Sequence, residues 1–520
     1  MISNEFSTES LPLTGSPLVG ALVKEYLKGS QSVRGLFGPP PNDAGLKDFF
    51  SIKQKTLPHR PLLHSVLSGQ YQVLEDLGEP ISPEVKNNLK SLLSDSTFTV
   101  TTGHQLQLAG GPLFFAFKIL TAVAAARHFQ NSNPSIQVVP VFWLASEDHD
   151  MDEINHLHVN GEKLVWNTEW KGPSGKAMCD GVEVMLSELK LKVGEIPFAT
   201  ELIADLDASY KSGRDLSLAT RILVNRWFGR FGVVALDASD ANLKRIFSPA
   251  ISKELFTSNT SQLVNSVIGN FPEGIDAQVN PREINLFYMM GESRQRIVRE
   301  GDDWKVLGGE TRFDRATLQG ELDAHPERFS PNVLLRPLYQ ETLLPDLAYI
   351  GGPSEIAYWL ELKALFEDHQ VDFPMLLLRD FFLHLDAGTR RRMDKTGLSL
   401  NDLWNTPDEW LKKRVEQRIH ATDPFENAKS TLTDTFESLK PFVIATDTSL
   451  SGSIQAELQK SLNGLDNLKE KWMRAEKRKM EDMKSHFNKI HEAVFPGGTF
   501  QERTLSLVGV LAKNGSSMPE

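Results

Sequence analysis

Residues 98–144 read FTVTTGHQLQLAGGPLFFAFKILTAVAAARHFQNSNPSIQVVPVFWL and predict a βαβ unit. Residues 98–102 are short and β-branched, which is typical of a buried strand. Residues 113–129 predict a helix, and the continuous apolar run 136–144 predicts a strand that is covered on both faces. We expect residues 103–112 to form the loop between the first strand and the helix. The right-handed parallel crossover is the expected geometry.

The alternation of helix and strand continues before and after a region of different character, residues 275 to 310. Residues 218–228 predict a helix and 233–237 a strand, so a doubly wound sheet is expected. Residues 283–288 and 295–298, separated by Gly291, predict an antiparallel hairpin inserted into this sheet domain. The α/β pattern is expected to return with a strand at 333–336, a helix at 355–368 and a strand at 375–378.

The chain beyond Arg390 is highly charged and predicts helices. Apolar residues at three- and four-residue steps over 454–493 indicate a coiled coil with 424–442, either antiparallel or between molecules. An amphipathic helix packed on its own domain is the alternative.

Composition excludes several classes of protein. The 520 residues favour two or three domains, and the net charge of −12 argues against broad binding to nucleic acid or anionic membranes. The single cysteine, Cys179, excludes an intramolecular disulfide, and we interpret it as incidental. The apolar stretch 108–126 contains Lys118 and follows two glycines, so we predict a buried helix rather than a membrane span. With no visible secretory signal, a cytoplasmic location is expected.

A glycine–histidine pair follows the first predicted strand. Ligands of open parallel sheets collect at the carboxyl ends of strands, where Gly103 allows close approach of the backbone. His104 could offer a proton or a hydrogen bond to a phosphate or carboxylate, and Gln105 follows it. A histidine satisfied by its neighbours is the alternative.

An acid-rich turn follows the second strand, and it holds Glu147, Asp148, His149 and Asp150. Repulsion among these carboxylates would be relieved by a metal or by a cationic group of a substrate, or one carboxyl would act as a general base. A solvated acidic loop is the alternative. The spacing matches no known metal site, so no metal ligand is predicted. We expect the two turns to face each other across one cleft.

A third candidate is a capped helix start near residue 351. Gly351, Gly352 and Ser354 could cradle an anion, although helix capping alone would also explain them. The further candidate substrate contacts near these three turns are Gly111, Asn155, Gln340, Tyr349 and Arg379.

Four segments together resemble the cysteine-adding (BshC) ligase family of bacillithiol biosynthesis. They are TTGHQLQLAGGPLFFAFKIL (101–120), PVFWLASEDHDMDEINH (140–156), RPLYQETLLPDLAYIGGPSEIAYW (336–359) and FPGGTFQER (495–503). The resemblance implies an α/β fold with a Rossmann-like parallel sheet core, an inserted connecting domain and a C-terminal helical coiled coil that forms a homodimer. The expected boundaries are 1–245 and 331–385 for the core, 246–330 for the insertion, 386–495 for the coiled coil and 496–520 for a C-terminal return segment.

The resemblance also implies an activity, the joining of cysteine to glucosaminyl-malate by an amide bond. Carboxylate activation would require a nucleotide, ATP or ADP, which no motif identifies. The expected roles are charge stabilisation by His104 and Gly351-Gly352, contact with the glucosamine ammonium by Asp148 or Asp150, orientation by Glu147 and His149, and carboxylate binding by Arg379 and Gln340. Residues 101–104 also resemble the signature of class I nucleotidyltransferases, but no Lys-Met-Ser-Lys-Ser loop is found. A metal-dependent hydrolase and a non-catalytic dimeric metabolite-binding protein remain the alternatives.

Overall fold

A computed structural model describes residues 9–42, 44–46, 59–194, 197–420 and 424–514. The strands are β1 Thr97–His104, β2 Gln137–Leu144, β3 His156–Val159, β4 Glu162–Val165, β5 Val234–Asp237, β6 Leu286–Met290, β7 Ser293–Glu300, β8 Asp303–Val306, β9 Arg312–Phe313, β10 Phe329–Pro331, β11 Asp346–Gly351 and β12 Met375–Leu378. The α-helices are Ala21–Lys28, Arg60–Asp76, Pro83–Ser91, Leu113–Ser132, Met151–Ile154, Val182–Val193, Pro197–Ser209, Leu216–Phe228, Ala241–Thr257, Thr260–Ile268, Arg315–Ala324, Leu335–Leu343, Pro353–Trp359, Lys363–Asp368, Ala387–Thr396, Pro407–His420, Pro424–Thr446, Ser451–Val494 and Leu507–Asn514.

The central sheet is parallel and has the strand order β12-β11-β1-β2-β5. The Rossmann-like fold class predicted from the sequence is confirmed. Both central strands are buried along almost their whole length, which explains their continuous apolar and β-branched sequence. The helix Leu113–Ser132 connects β1 to β2, as predicted. β1 runs two residues further than expected, so His104 ends the strand rather than lying in the following loop.

The second sheet is antiparallel, with the order β10-β6-β7-β8-β9. β6 and β7 form the predicted hairpin, with Met290 opposite Ser293 across the turn at Gly291. This sheet lies in the chain between the core strands β5 and β11. The expected boundaries of the insertion at residues 246 and 330 remain predictions.

One predicted strand is wrong. Residues 333–336 lead into the helix Leu335–Leu343, and the core strand in this region is β11. The apolar residues Leu335, Leu338 and Leu343 repeat at helical spacing and are buried, which a short window at 333–336 does not reveal. The single helix expected at 355–368 is two helices, Pro353–Trp359 and Lys363–Asp368.

The described chain forms two compact units. The sheet unit comprises Leu13–Phe382 and continues from residue 502. The helical unit comprises residues 9–12 and Leu383–Gln501. Residues 515–520 of the expected return segment lie outside the described residues.

In the helical unit, Pro424–Thr446 runs antiparallel to Ser451–Val494. The Lys429 ammonium lies 2.5 Å from an Asp466 carboxylate oxygen, and Lys469 lies 3.0 Å from Glu426. At the base of the long helix, the Phe487 ring packs edge-on against Trp410 at 5.2 Å. The sequence-predicted helix pair is therefore confirmed within one chain.

Residues 502–511 complete the sheet unit. The buried Glu502 carboxylate pairs with both terminal nitrogens of Arg379, and the Leu505 carbonyl accepts the Leu113 N–H at 2.8 Å. Leu507, Val508 and Leu511 are buried in the same hydrophobic core as the helix Leu113–Ser132.

Candidate functional site

The carboxyl ends of the central strands meet at one edge of the sheet. His104 at the end of β1 is in register with Leu144 at the end of β2, and Gly351 of β11 pairs with Leu378 of β12. A cavity of about 1060 Å³, the sheet-edge cavity, opens at this edge and lies wholly within the sheet unit. Its position is the one at which open α/β sheets bind ligands.

The structure brings two predicted segments together here. The histidine turn, residues 103–107, and the acid turn, residues 145–153, both line the cavity. The predicted site residues that line it are Gly103, His104, Gln105, Glu147, Asp148, Tyr349, Gly352 and Ser354. Those that do not line it are Gly111, His149, Asp150, Asn155, Gln340, Gly351 and Arg379.

His104 is held as a neutral imidazole. Its Nδ1 lies 3.1 Å from the carbonyl oxygen of Gln105, which can only accept, so Nδ1 carries the proton. Burial and, to a smaller extent, the charge of Lys118 lower the pKa of His104 to about 3. The Nε2 lone pair can therefore accept a hydrogen bond. The role expected from the sequence, donation of a proton or a hydrogen bond from His104 to a phosphate, would require a proton on Nε2 as well.

Gln105 links the two turns directly. Its side-chain amide donates to Asp148 Oδ2 at 2.9 Å and to Glu153 Oε2 at 2.7 Å. Asp148 also accepts the backbone N–H of His149 at 2.8 Å. Both carboxylates line the cavity, so this pair forms an acidic wall on which a cationic group could bind.

Glu147 faces a different environment, because its charge is already neutralised. The ammonium of Lys244, a fully buried residue of the helix Ala241–Thr257, lies 2.6 Å from one carboxylate oxygen and 2.9 Å from the other. The hydroxyl of Ser330, in β10, donates to the second oxygen at 2.9 Å. Glu147 thus anchors the acid turn to the inserted sheet instead of acting as a free carboxylate.

Arg294, in β7, also reaches the acid turn. Its NH1 donates to His149 Nδ1 at 3.2 Å, so His149 carries its proton on Nε2. The Arg294 guanidinium lies 3.9 Å from the centre of the Phe287 ring and donates to Ser330 Oγ at 3.0 Å. Asp150 is exposed and is not among the residues that line the cavity, and its role stays a prediction.

The helix start at Gly352 is capped from within. Glu355 Oε2 accepts the Gly352 N–H at 2.8 Å, and Oε1 accepts the Tyr349 hydroxyl at 2.7 Å. The Lys118 ammonium contacts both carboxylate oxygens, at 2.7 and 2.9 Å, and donates to the Gly103 carbonyl. The predicted anion cradle at Gly351-Gly352 is therefore filled, at Gly352, by a carboxylate of the chain itself.

Two predicted carboxylate binders are engaged elsewhere. The Arg379 guanidinium is 2% exposed and is neutralised by Glu502. Gln340 is fully buried and donates to Glu341 and to Asp346 Oδ2, each at 3.0 Å. Neither side chain reaches the sheet-edge cavity, because both serve buried acids that their sequence neighbourhood does not reveal.

The sequence prediction missed the cationic residues of the cavity. Five arginines line it, namely Arg282, Arg294, Arg296, Arg336 and Arg503. Arg336 is oriented by Tyr358 Oη at 3.2 Å and Gln340 Oε1 at 3.1 Å. Three of the five come from the inserted segment, and the alternating Arg294 and Arg296 of one strand were the available signal. An anionic substrate group fits this wall.

No cluster of three histidine, cysteine, aspartate or glutamate side chains placed to hold a metal ion occurs among the described residues. Within the same ranges, no helix combines the length and apolarity needed to cross a membrane.

Comparison with known proteins gives a consistent result over the whole chain. Residues 7–380 match the family described as "Bacillithiol biosynthesis BshC, N-terminal Rossmann-like domain", and residues 382–518 match "Bacillithiol biosynthesis BshC, C-terminal coiled-coil domain". A Flavobacterium johnsoniae protein named "Putative cysteine ligase BshC" is 36% identical over 499 residues, which is 95% of this chain and 93% of the relative. Proteins of the same name from Flavobacterium psychrophilum and Cytophaga hutchinsonii are 34% and 35% identical and cover 98% of this chain, and 96% and 95% of their own lengths.

Proposed function

The chain belongs to the BshC family of bacillithiol biosynthesis, and we propose on this basis that it joins cysteine to glucosaminyl-malate through an amide bond. The observation that carries the proposal is the presence of both acidic and basic side chains in the lining of the sheet-edge cavity. Asp148 and Glu153 form an acidic wall, and five arginines supply cationic groups.

The substrate has the complementary charges. Glucosaminyl-malate carries two carboxylates on its malate part and one ammonium on its sugar. The carboxylates would bind the arginines, with Arg336 held in place by Tyr358 and Gln340. The ammonium would bind Asp148, whose side-chain hydrogen-bond donor, Gln105, is uncharged, while the Arg294 guanidinium supplies a second positive charge near this carboxylate.

The reaction needs a neutral amine and an activated carboxylate. The sugar ammonium loses a proton, for which Asp148 is the proposed acceptor, and the amine nitrogen then attacks the cysteine carboxyl carbon. One carboxylate oxygen must leave. ATP would convert the cysteine carboxylate into an acyl phosphate with release of ADP, or into an acyl adenylate with release of pyrophosphate, and the oxygen would then leave with phosphate or AMP when the amide forms. The Nε2 of neutral His104 would accept a hydrogen bond from the attacking amine and so orient its lone pair.

We further propose that the protein works in the cytoplasm as a homodimer formed by the helical unit. Support comes from apolar side chains that the helix pair Pro424–Thr446 and Ser451–Val494 leaves exposed. Phe442 is 76% exposed, and Leu439, Leu468, Trp472 and Met473 are between 41% and 55% exposed. A second copy would bury them. Sedimentation velocity tests this, since a monomer at micromolar concentration would contradict it.

The deciding experiment is product detection by mass spectrometry with glucosaminyl-malate and cysteine, with and without ATP. We expect the amide product only with nucleotide. Absence of product under every nucleotide, together with substrate binding, would instead indicate a metabolite-binding protein. Stoichiometric metal retained after dialysis, with hydrolysis of the substrate, would indicate a hydrolase.

Variants then locate the base. Asp148→Asn should reduce kcat by about 100-fold or more if it takes the proton. Asp150→Asn tests the neighbouring carboxylate, and a loss there with none at Asp148 would overturn the assignment. Asp207→Asn, a surface carboxylate paired with Lys190, is the matched control.

A further inference from the structure

Two carboxylates are buried in the sheet unit without a basic partner. Glu361 is 0% exposed and Glu254 is 2% exposed. Among the described residues neither forms an ion pair; their contacts are hydrogen bonds to backbone N–H groups, one asparagine amide and one threonine hydroxyl. Burial raises the pKa of both, that of Glu361 to about 7. Because burying an unpaired carboxylate costs free energy, fold stability alone does not account for them.

Both carboxylates hold the same piece of chain. Residues 278–285 form neither helix nor strand, and they lie in the chain between the helix Thr260–Ile268 and β6. Glu361 accepts the N–H of Gln278 at 2.6 Å and that of Val279 at 3.3 Å, at one end of this segment. Glu254 accepts the N–H and the side-chain amide of Asn285, at 2.7 and 2.9 Å, at the other end.

The segment between the two anchors is a wall of the sheet-edge cavity. Asn280, Arg282, Ile284 and Asn285 all line it. Asn285 also fixes the backbone of Arg282, since its Oδ1 accepts the Arg282 N–H at 3.1 Å and its amide donates to the Arg282 carbonyl at 2.8 Å. The Arg282 side chain is exposed at the cavity, so its direction depends on this backbone.

We propose that Glu361 and Glu254 are positioning residues that hold residues 278–285 as a wall of the cavity and thereby aim Arg282 at an anionic group of the substrate. Carboxylates suit this role because a segment without regular structure offers free N–H groups, and a carboxyl group can accept two of them on its two oxygens, as Glu361 does. Above the raised pKa of Glu361, its charge strengthens these hydrogen bonds further. The identity of the anionic group, a malate carboxylate, rests on the function proposed above.

A double-mutant cycle tests the link between Glu361 and Arg282. At about pH 8, above the pKa of Glu361, Glu361→Gln keeps the shape but loses the charge and one acceptor. We expect it to raise KM for glucosaminyl-malate by about 10- to 100-fold, the equivalent of one hydrogen bond to a charged group, with little change in kcat. In the Arg282→Ala background the same change should alter KM by less than about 2-fold. An equal effect in both backgrounds, or an unchanged KM in Glu361→Gln, would overturn the proposal.

Hydrogen exchange supplies a readout that does not require activity. Glu361→Gln should speed exchange of the amides in residues 278–285, whereas Glu367→Gln, an exposed partner of Lys363, should leave them unchanged. Unchanged exchange in Glu361→Gln would overturn the positioning role whatever the activity. If the wild-type protein makes no amide, the proposed function fails, and the same cycle measured as Kd for glucosaminyl-malate by calorimetry still decides this inference.

Discussion

Replacing Glu355 by glutamine should destabilise the sheet unit strongly, because it leaves the buried ammonium of Lys118 without a counter-charge. The Lys118 side chain is 1% exposed, and its charge is balanced by Glu355. In Glu355→Gln the ammonium keeps the neutral carbonyl of Gly103 but loses its counter-charge. The Tyr349 hydroxyl and the Gly352 N–H would also compete for a single amide oxygen.

Two routes give the magnitude. Removing one partner of a buried ion pair costs about 3–5 kcal/mol. Burial would raise the pKa of Glu355, but the charge and hydrogen bonds of Lys118 lower it from 4.5 to about 2. This shift corresponds to roughly 3 kcal/mol of stability. Because the folded-state pKa is lowered, this contribution is complete above pH 4.5 and is lost as the pH falls toward 2.

Urea denaturation followed by tryptophan fluorescence at pH 7 measures the effect. We expect Glu355→Gln to lose about 3–5 kcal/mol of unfolding free energy, and Lys118→Met with Glu355→Gln to lose less, because no charge is then stranded. The exposed pair partner Glu367→Gln should lose less than about 0.5 kcal/mol. A loss below about 1 kcal/mol in Glu355→Gln, or a double variant less stable than the single one, would refute this reasoning.

Three further outcomes are expected. Burial, with smaller contributions from Asp215 and Asp180, raises the pKa of the Cys179 thiol to about 12, so Ellman's reagent should label it only after unfolding; rapid labelling of the native protein would contradict its burial. Burial raises the pKa of Glu361 from 4.5 to about 7, so the contribution of Glu361 to stability falls as the pH rises between these values. From pH 4.5 to 7.5, the wild type should lose up to roughly 3 kcal/mol of unfolding free energy relative to Glu361→Gln. Urea titrations at several pH values measure this trend, and the opposite trend would contradict the raised pKa. A Cβ at Gly175 would lie 2.5 Å from the Ser146 Cβ, so Gly175→Ala should lower the free energy of unfolding by about 1–3 kcal/mol and lower kcat. Gly309→Ala, whose Cβ would face open space, should match the wild type. Equal Tm values for Gly175→Ala and the wild type would exclude the clash.

The sequence predicted those parts of the fold that depend on local pattern. β-Branched residues identified β1, and a continuous apolar run identified β2. Parallel strands bring their carboxyl ends to one edge, so the meeting of the histidine turn and the acid turn followed from topology alone. The sequence analysis expects the strand of this region at 333–336 instead of at β11. Leu335 and Leu338 belong to a helix, and a window of four residues conceals their helical periodicity.

The charge partners in the site could not be predicted, because they come from distant segments. Arg379 pairs with a residue 123 positions away, and Glu147 pairs with Lys244, 97 positions away. From sequence, Arg379 resembles a free anion binder, and Glu147 is one of several unpaired carboxylates, with an expected orienting role. Only tertiary structure shows that both charges are already neutralised, and that Arg282 and Arg336 line the cavity.

The pairing of Arg379 with Glu502 has a consequence for biosynthesis of the protein. Residues 502–511 enter the core of the sheet unit, and Arg503 lines its cavity, yet they are translated after the entire helical unit. While residues 383–501 are synthesised, the sheet unit lacks Glu502, the partner of the Arg379 guanidinium, and the apolar side chains of Leu507, Val508 and Leu511. The core and the cavity lining of the sheet unit can therefore be completed only after residues 502–511 have been synthesised.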